Sequence, residues 1–108
     1  MPAEDKKRSI HQLLVNRILH GPGRAPADQR ARAFADAELP EPLGVLLDKV
    51  ATRPAQVTDA DFAAATAAGF TDDQLFELVI CAAVGQSTRL YEAGLAALAQ
   101  ATAETEGH

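Results

Sequence analysis

"VTDADFAAATAAGFTDDQLFELVICAAVG", residues 57–85, holds two successive helix starts, and its reading decides the fold. Thr58 is placed to cap a helix whose third residue is Asp61, with Val57 and Phe62 at the positions of a hydrophobic staple. Gly69 follows as a left-handed stop, because only glycine takes positive φ without a Cβ penalty. Two residues later Thr71 opens a second helix through a capping box with Gln74, with Phe70 and Leu75 as its staple. Acids at 59, 61, 72 and 73 lie where the macrodipole of each helix favours negative charge. From Leu75 to Val84 the chain is apolar on almost every side, so this helix is expected to be buried on most of its surface.

The same 3.6-residue spacing continues in both directions, with almost no period-2 alternation. Ile10, Leu13, Leu14 and Ile18 predict a first amphipathic helix that ends at "HGPGRAP" (20–26). Pro26 suits the first turn of a short second helix with Ala31, Phe34 and Ala35 on its inner side. After "LPEP" a third helix is expected from about Pro42, with Leu43, Leu46, Leu47 and Val50 facing inward, stopping before Pro54. The last helix is expected from Asp72 to about Ala101, loosened at Gly85 or Gly94. Its second half carries a stripe of Leu90, Gly94 and Leu98, and residues 102–108 form a frayed tail.

These elements predict an all-α single domain of about five helices. Residues 1–40 form the N-terminal helices, and the last helix is long and buried. Of the 108 residues, 47% are hydrophobic but only 5% are aromatic, and alanine dominates. Alanine favours helix and fills little volume, so the composition argues for closely packed helices that depend on oligomerisation.

The net charge of −5 is unevenly distributed. Residues 1–53 hold nine of the ten Lys and Arg against seven acids, whereas residues 54–108 hold only Arg89 against eight. The two halves are expected to attract each other, within or between copies. No basic stripe is interleaved with aromatics, which argues against nucleic acid as a partner. Leu78–Val84 is far too short to cross a membrane, and residues 1–14 lack the apolar core of a secretory signal, so a cytoplasmic location is expected.

Chemistry-bearing residues are few. Cys81, the only cysteine, lies about ten residues inside its helix, with Glu77 one turn earlier. Both features disfavour a thiolate, so packing is the expected role and a reactive thiol the alternative. His11 and His20 are half a turn out of phase and His108 is terminal, so no metal site is expected. "GPG" lacks the Lys and Ser/Thr of a phosphate loop, and no histidine stands near Ser87 or Thr88 in sequence. Neither a cofactor nor a hydrolase triad is expected. A polar set remains on the long helix: Glu77, Gln86, Arg89, Tyr91 and Glu92. Glu77 and Arg89 are either an ion pair at an interface or a catalytic pair. In the catalytic reading Arg89 binds a carboxylate, and Glu77, its pKa raised by burial, moves a proton.

"VTDADFAAATAAGFTDDQLFELVICAAVGQSTRLYEAGLAAL" (57–98) resembles the carboxymuconolactone decarboxylase-like family, which includes the AhpD-type alkylhydroperoxidases. The likeness covers roughly residues 42–98: a short helix, the "AAGFTDDQLFEL" turn and an Ala-rich long helix. It implies an AhpD-like fold assembled as a homo-oligomer, commonly a trimer or hexamer. Peroxidase members carry C-x-x-C-x-x-x-H before the glycine turn. Anchored on Gly69, those positions fall at Pro54, Val57 and Asp61, and none matches. Thiol peroxidase chemistry is therefore not expected. The expected function is an oligomeric binding or assembly module, whose partners are further copies of itself and a small-molecule ligand. The competing reading is a small-molecule enzyme of the family, lactone decarboxylase- or isomerase-like or peroxidase-related, which requires Glu77 and Arg89 to converge on a cavity.

Overall fold

The structure, a computed structural model, describes the backbone of residues 2–106 and the side chains of residues 6–103. Five α-helices follow one another: α1 (Pro2–His20), α2 (Ala27–Phe34), α3 (Leu43–Thr52), α4 (Asp59–Ala67) and α5 (Asp72–Glu106). A single 3₁₀ turn, Pro54–Gln56, joins α3 to α4, and no strand occurs among the described residues. The molecule is elongated, 59 × 29 × 19 Å, because α5 alone runs 35 residues. At about 1.5 Å per residue this is roughly 50 Å of helix.

Local capping accounts for the two helix starts in the decisive stretch. Thr58 Oγ1 accepts the Asp61 N–H at 3.4 Å, and Asp61 Oδ2 accepts the Thr58 N–H at 2.9 Å. Thr71 and Gln74 exchange the equivalent pair at 3.2 and 3.0 Å. Gly69 has φ +107°, and the bonds Gly69 N–H to Thr66 O and Phe70 N–H to Ala65 O close a Schellman stop. The same motif ends α2, with Asp36 at φ +53° in the glycine position. That stop stands before "LPEP", and nothing in the helical spacing announces it.

The core contains Leu43, Leu46 and Leu47 of α3 as expected, together with Leu39, Ala65, Leu75, Leu78, Cys81 and Ala82. Val50, Val57 and Phe70 pack against it, while Phe62 remains exposed. Lys49 on α3 is ion-paired with Asp61 on α4 at 3.0 Å, one contact that joins the basic and acidic halves of the chain.

Three helix faces differ from expectation. On α1 the inward residues are Val15, buried, and His11 and Ile18, half-buried, while Ile10, Leu13 and Leu14 face outward. The helix is apolar on two adjacent sides and packs with only one. On α2 the buried residues are Arg30 and Ala33, with Phe34 half-buried and Ala31 and Ala35 exposed. Where alanine stands on every side of a helix, spacing alone does not select the face.

The third difference concerns α5. Leu75, Leu78, Cys81, Ala82 and Gly85 form its inner side, but Phe76 and Ala83 are exposed, because α2 and α3 cover it from one side only. Gly85 does not loosen it. A Cβ there would collide with the main-chain carbonyl of Phe34, so the glycine lets α2 approach closely. Gly94 stands in open space, and the helix continues past Ala101 to Glu106. Gly107 and His108, part of the expected frayed tail, lie outside the described residues.

Candidate functional site: the α1–α2–α5 junction

Short helices expose a large share of their unbonded N–H and C=O groups, so their ends need partners. α2 has eight residues, and neither end is capped by a side chain of its own. α5 instead holds the C-terminal end of α2 and the segment that leads into its N-terminus. Glu77 receives the N–H of Arg24 at 2.7 and 2.8 Å, one bond to each carboxylate oxygen, and the N–H of Ala25 at 2.6 Å. Arg89 donates from Nη1 to the Phe34 carbonyl at 2.6 Å, and its other edge is held by Gln86 Oε1 at 3.0 and 3.3 Å. A negative group therefore stands just ahead of α2 and a positive group at its C-terminal end, the signs that the macrodipole favours.

This arrangement corrects one expectation. The backbone N–H groups of Arg24 and Ala25 hold the Glu77 carboxyl below its ordinary range, and the nearby Arg30 and Arg24 charges add to this. They outweigh the desolvation that was expected to raise it. Glu77 is thus an ionised acceptor rather than a poised acid. Nor does it meet Arg89. The two lie twelve residues apart on α5, about 18 Å along the axis, with α2 between their grips.

Arg30, which the sequence reading passed over, completes the junction. It is 8% exposed, and its Nη1 donates to the carbonyls of Gly21 at 2.8 Å and Ile18 at 3.2 Å, at the C-terminal end of α1. Three charged side chains therefore hold the C-terminal ends of α1 and α2 and the segment between the two helices. The signal for Arg30 was weak: one of two arginines in a short Ala-rich helix, three residues before Ala33.

Beside these contacts lies a half-open pocket of about 180 Å³, walled by Ile18, Pro22, Ile80 and Cys81 with Arg17, Arg30 and Glu77 at its polar side. Cys81 is buried, and its thiol lies 3.8 Å from the Ile18 carbonyl. Burial pushes that thiol up in pKa; the Glu77 charge adds to the shift and Arg30 opposes it. The thiol is held protonated and packs as a small hydrophobe.

The remaining sequence candidates are dispersed. Asp61, at the position where the family's histidine would fall, is lowered in pKa by the Thr58 N–H and by Lys49 and serves as a cap. His11 Nε2 lies 2.8 Å from Thr88 Oγ1, and its ring is 5.9 Å from that of Tyr91. Thr88 also donates to the Val84 carbonyl at 2.7 Å, so the pair ties α1 to α5. Glu92 is exposed. Among the described residues no three His, Cys, Asp or Glu side chains gather as a metal cage, and no helix is long and apolar enough to cross a membrane.

A second, almost wholly apolar surface runs along the outer side of α5. Phe76, Ala83, Leu90 and Ala97 recur there every seven residues, all exposed, with Leu98 beside them. The chain matches no protein-family model, no curated protein and no solved structure.

Proposed function

We propose that this chain is a homo-oligomeric helical assembly module of the carboxymuconolactone decarboxylase-like kind, without thiol peroxidase chemistry. The observation that carries the reading is the seven-residue line of exposed apolar residues on α5. Leu90 at 64% and Phe76 at 67% exposure stand fourteen residues apart, two seven-residue steps, on one continuous helix. A seven-residue apolar repeat is the period at which two helices stay in register as they wind together. Ala83 and Ala97 in the same line permit close approach between backbones. On α1, Leu13 is 69% exposed, with Ile10 and Leu14 beside it, which adds a second unburied apolar face. The occupant best suited to both faces is another copy. The α1 surface carries exposed Lys6, Lys7 and Arg8, and the start of α5 carries exposed Asp72 and Asp73, so copies offer each other opposite charges. The likeness at residues 42–98 to a family that assembles through such helices points the same way.

The catalytic alternative has less support. Glu77 is occupied by the Arg24 and Ala25 N–H groups of the segment leading into α2, and Arg89 by the Phe34 carbonyl at the end of α2.

Sedimentation equilibrium at micromolar concentration tests the proposal. A mass that is a multiple of 11.4 kDa is expected for the natural chain, and the single-chain mass for Leu90→Asp combined with Leu13→Asp. A natural chain that stays at 11.4 kDa at about 100 µM, a concentration at which even weak association of about −6 kcal/mol is visible, overturns it.

A further inference from the structure

The Arg30 guanidinium has two differently occupied edges. Nη1 is fully engaged by the Ile18 and Gly21 carbonyls. Nε is buried and meets no acceptor among the described residues, and no hydrogen bond occupies Nη2. Among the described residues no carboxylate is ion-paired with Arg30; Glu77, bonded to Arg24 and Ala25, acts on it only through space. An enclosed cation of this kind is stabilised in part by the two carbonyls at the end of α1 and in part by the nearby Glu77 charge, but no carboxylate is bonded to it among the described residues. The unoccupied Nε–Nη2 edge is the fork whose two parallel N–H groups match a carboxylate.

We infer that the pocket between α1, α2 and α5 is a binding site for a small organic carboxylate with a short apolar tail. The carboxylate group seats on the Nε–Nη2 edge of Arg30. It meets Nη2, the outer nitrogen of that edge, while Nε stays enclosed behind it. Arg17, exposed at the mouth, supplies a second positive charge, so the two guanidiniums outweigh the single carboxylate of Glu77. The Ile18 and Ile80 walls take the tail. A half-open pocket of about 180 Å³ suits a small acid. This inference does not rest on oligomerisation, since every residue it uses belongs to one chain.

The test is an NMR titration of the ¹⁵N-labelled full chain with n-butyrate, n-butyramide and inorganic phosphate, following the Arg30 Nε–H and Ile18 amide signals. Butyrate is expected to shift both saturably. Butyramide has the same shape without the charge and is expected to bind about tenfold or more weakly, the difference typical of a charge-assisted bond. Phosphate, which gains nothing from the apolar wall, is expected to bind more weakly than butyrate. Ile80→Phe fills the pocket from α5 without touching a capping group and should abolish the butyrate response while the far-ultraviolet dichroism is retained. Three results each overturn the inference: equal shifts with butyramide, phosphate binding as tight as butyrate, or no saturation up to about 50 mM, beyond the millimolar affinity expected of so small a ligand. Should Ile80→Phe fail to fold, the comparison of the three probes on the natural chain still decides.

Discussion

Glu77 and Arg89 fix α2 from a single helix: Glu77 through the Arg24 and Ala25 N–H groups just before it, and Arg89 through the Phe34 carbonyl at its end. α2 is too short to be stable by itself, so its order depends on these two grips. Glu77→Gln should lower the urea midpoint by the equivalent of about 1–2 kcal/mol, the scale of losing a charged acceptor for backbone N–H groups. Arg89→Met should cost a similar ~1–3 kcal/mol, since it leaves the Phe34 carbonyl without its charged donor. An unchanged midpoint in either variant would mean that α2 is held by its apolar contacts alone.

The Glu77 grip also predicts how stability responds to acid. Its folded-state pKa lies below the ordinary value of 4.5, so the unfolded chain binds the proton more readily. The stabilisation is complete above about pH 4.5 and is lost as pH falls through the lower folded-state value. Asp61, held below its ordinary 3.8, adds a loss of the same sign somewhat further into acid. Urea midpoints from pH 7 to pH 3 should therefore fall for the natural chain, with the gap to Glu77→Gln closing in acid. A gap independent of pH would remove Glu77 as the source.

Gly85 should behave unlike an ordinary helix glycine. Alanine in a helix interior normally adds about 1 kcal/mol over glycine. At position 85 its methyl group would drive into the Phe34 carbonyl, a main-chain atom that cannot yield without moving α2. Gly85→Ala should destabilise by about 1–3 kcal/mol. Gly94→Ala, facing open space, should stabilise instead. Thermal melts of the two variants that shift in the same direction would contradict the close α2–α5 approach.

Asp36 occupies a position suited to glycine. Its φ of +53° lies in the left-handed region, at the stop of α2. Asp36→Gly should raise stability by about 0.5–1 kcal/mol by relieving that conformation. A lower melting temperature would show that the aspartate side chain makes a compensating local bond.

Cys81 is 1% exposed and its thiol is held protonated, so it should react only when the chain opens. Labelling by a thiol-reactive disulfide should be slower than for free cysteine by on the order of a thousandfold or more, in line with the small unfolded fraction of an ordinary domain. It should accelerate in step with urea unfolding. Fast labelling of the folded chain would restore the reactive-thiol reading.

Most of the helix boundaries in this protein could be read from local chemistry. Thr58 with Asp61, Thr71 with Gln74, and Gly69 between them act within three or four residues, so their bonds follow from spacing alone. The inward leucines of α3 were equally legible, because that helix contrasts apolar with polar positions. Cys81 was rightly read as core by its apolar surroundings. On α2, alanine on several sides supplies no contrast, and the inner face proved to be that of Arg30 and Ala33. On α1 two adjacent apolar sides compete, and the packing of α2 and α5 selects the one with Val15 and Ile18.

The candidate site was legible only as a set of unusual residues. The sequence by itself determined that a carboxylate at 77 and a cation at 89 sit on one long helix, and that charge is costly in an apolar run. Only the tertiary structure decided their partners, because Glu77 meets groups more than fifty residues away and Arg89 a carbonyl 55 residues away. Contacts over such separations depend on where α2 comes to rest against Gly85. A local pattern carries no information about that, since the main-chain groups that receive these charges are the same in every residue.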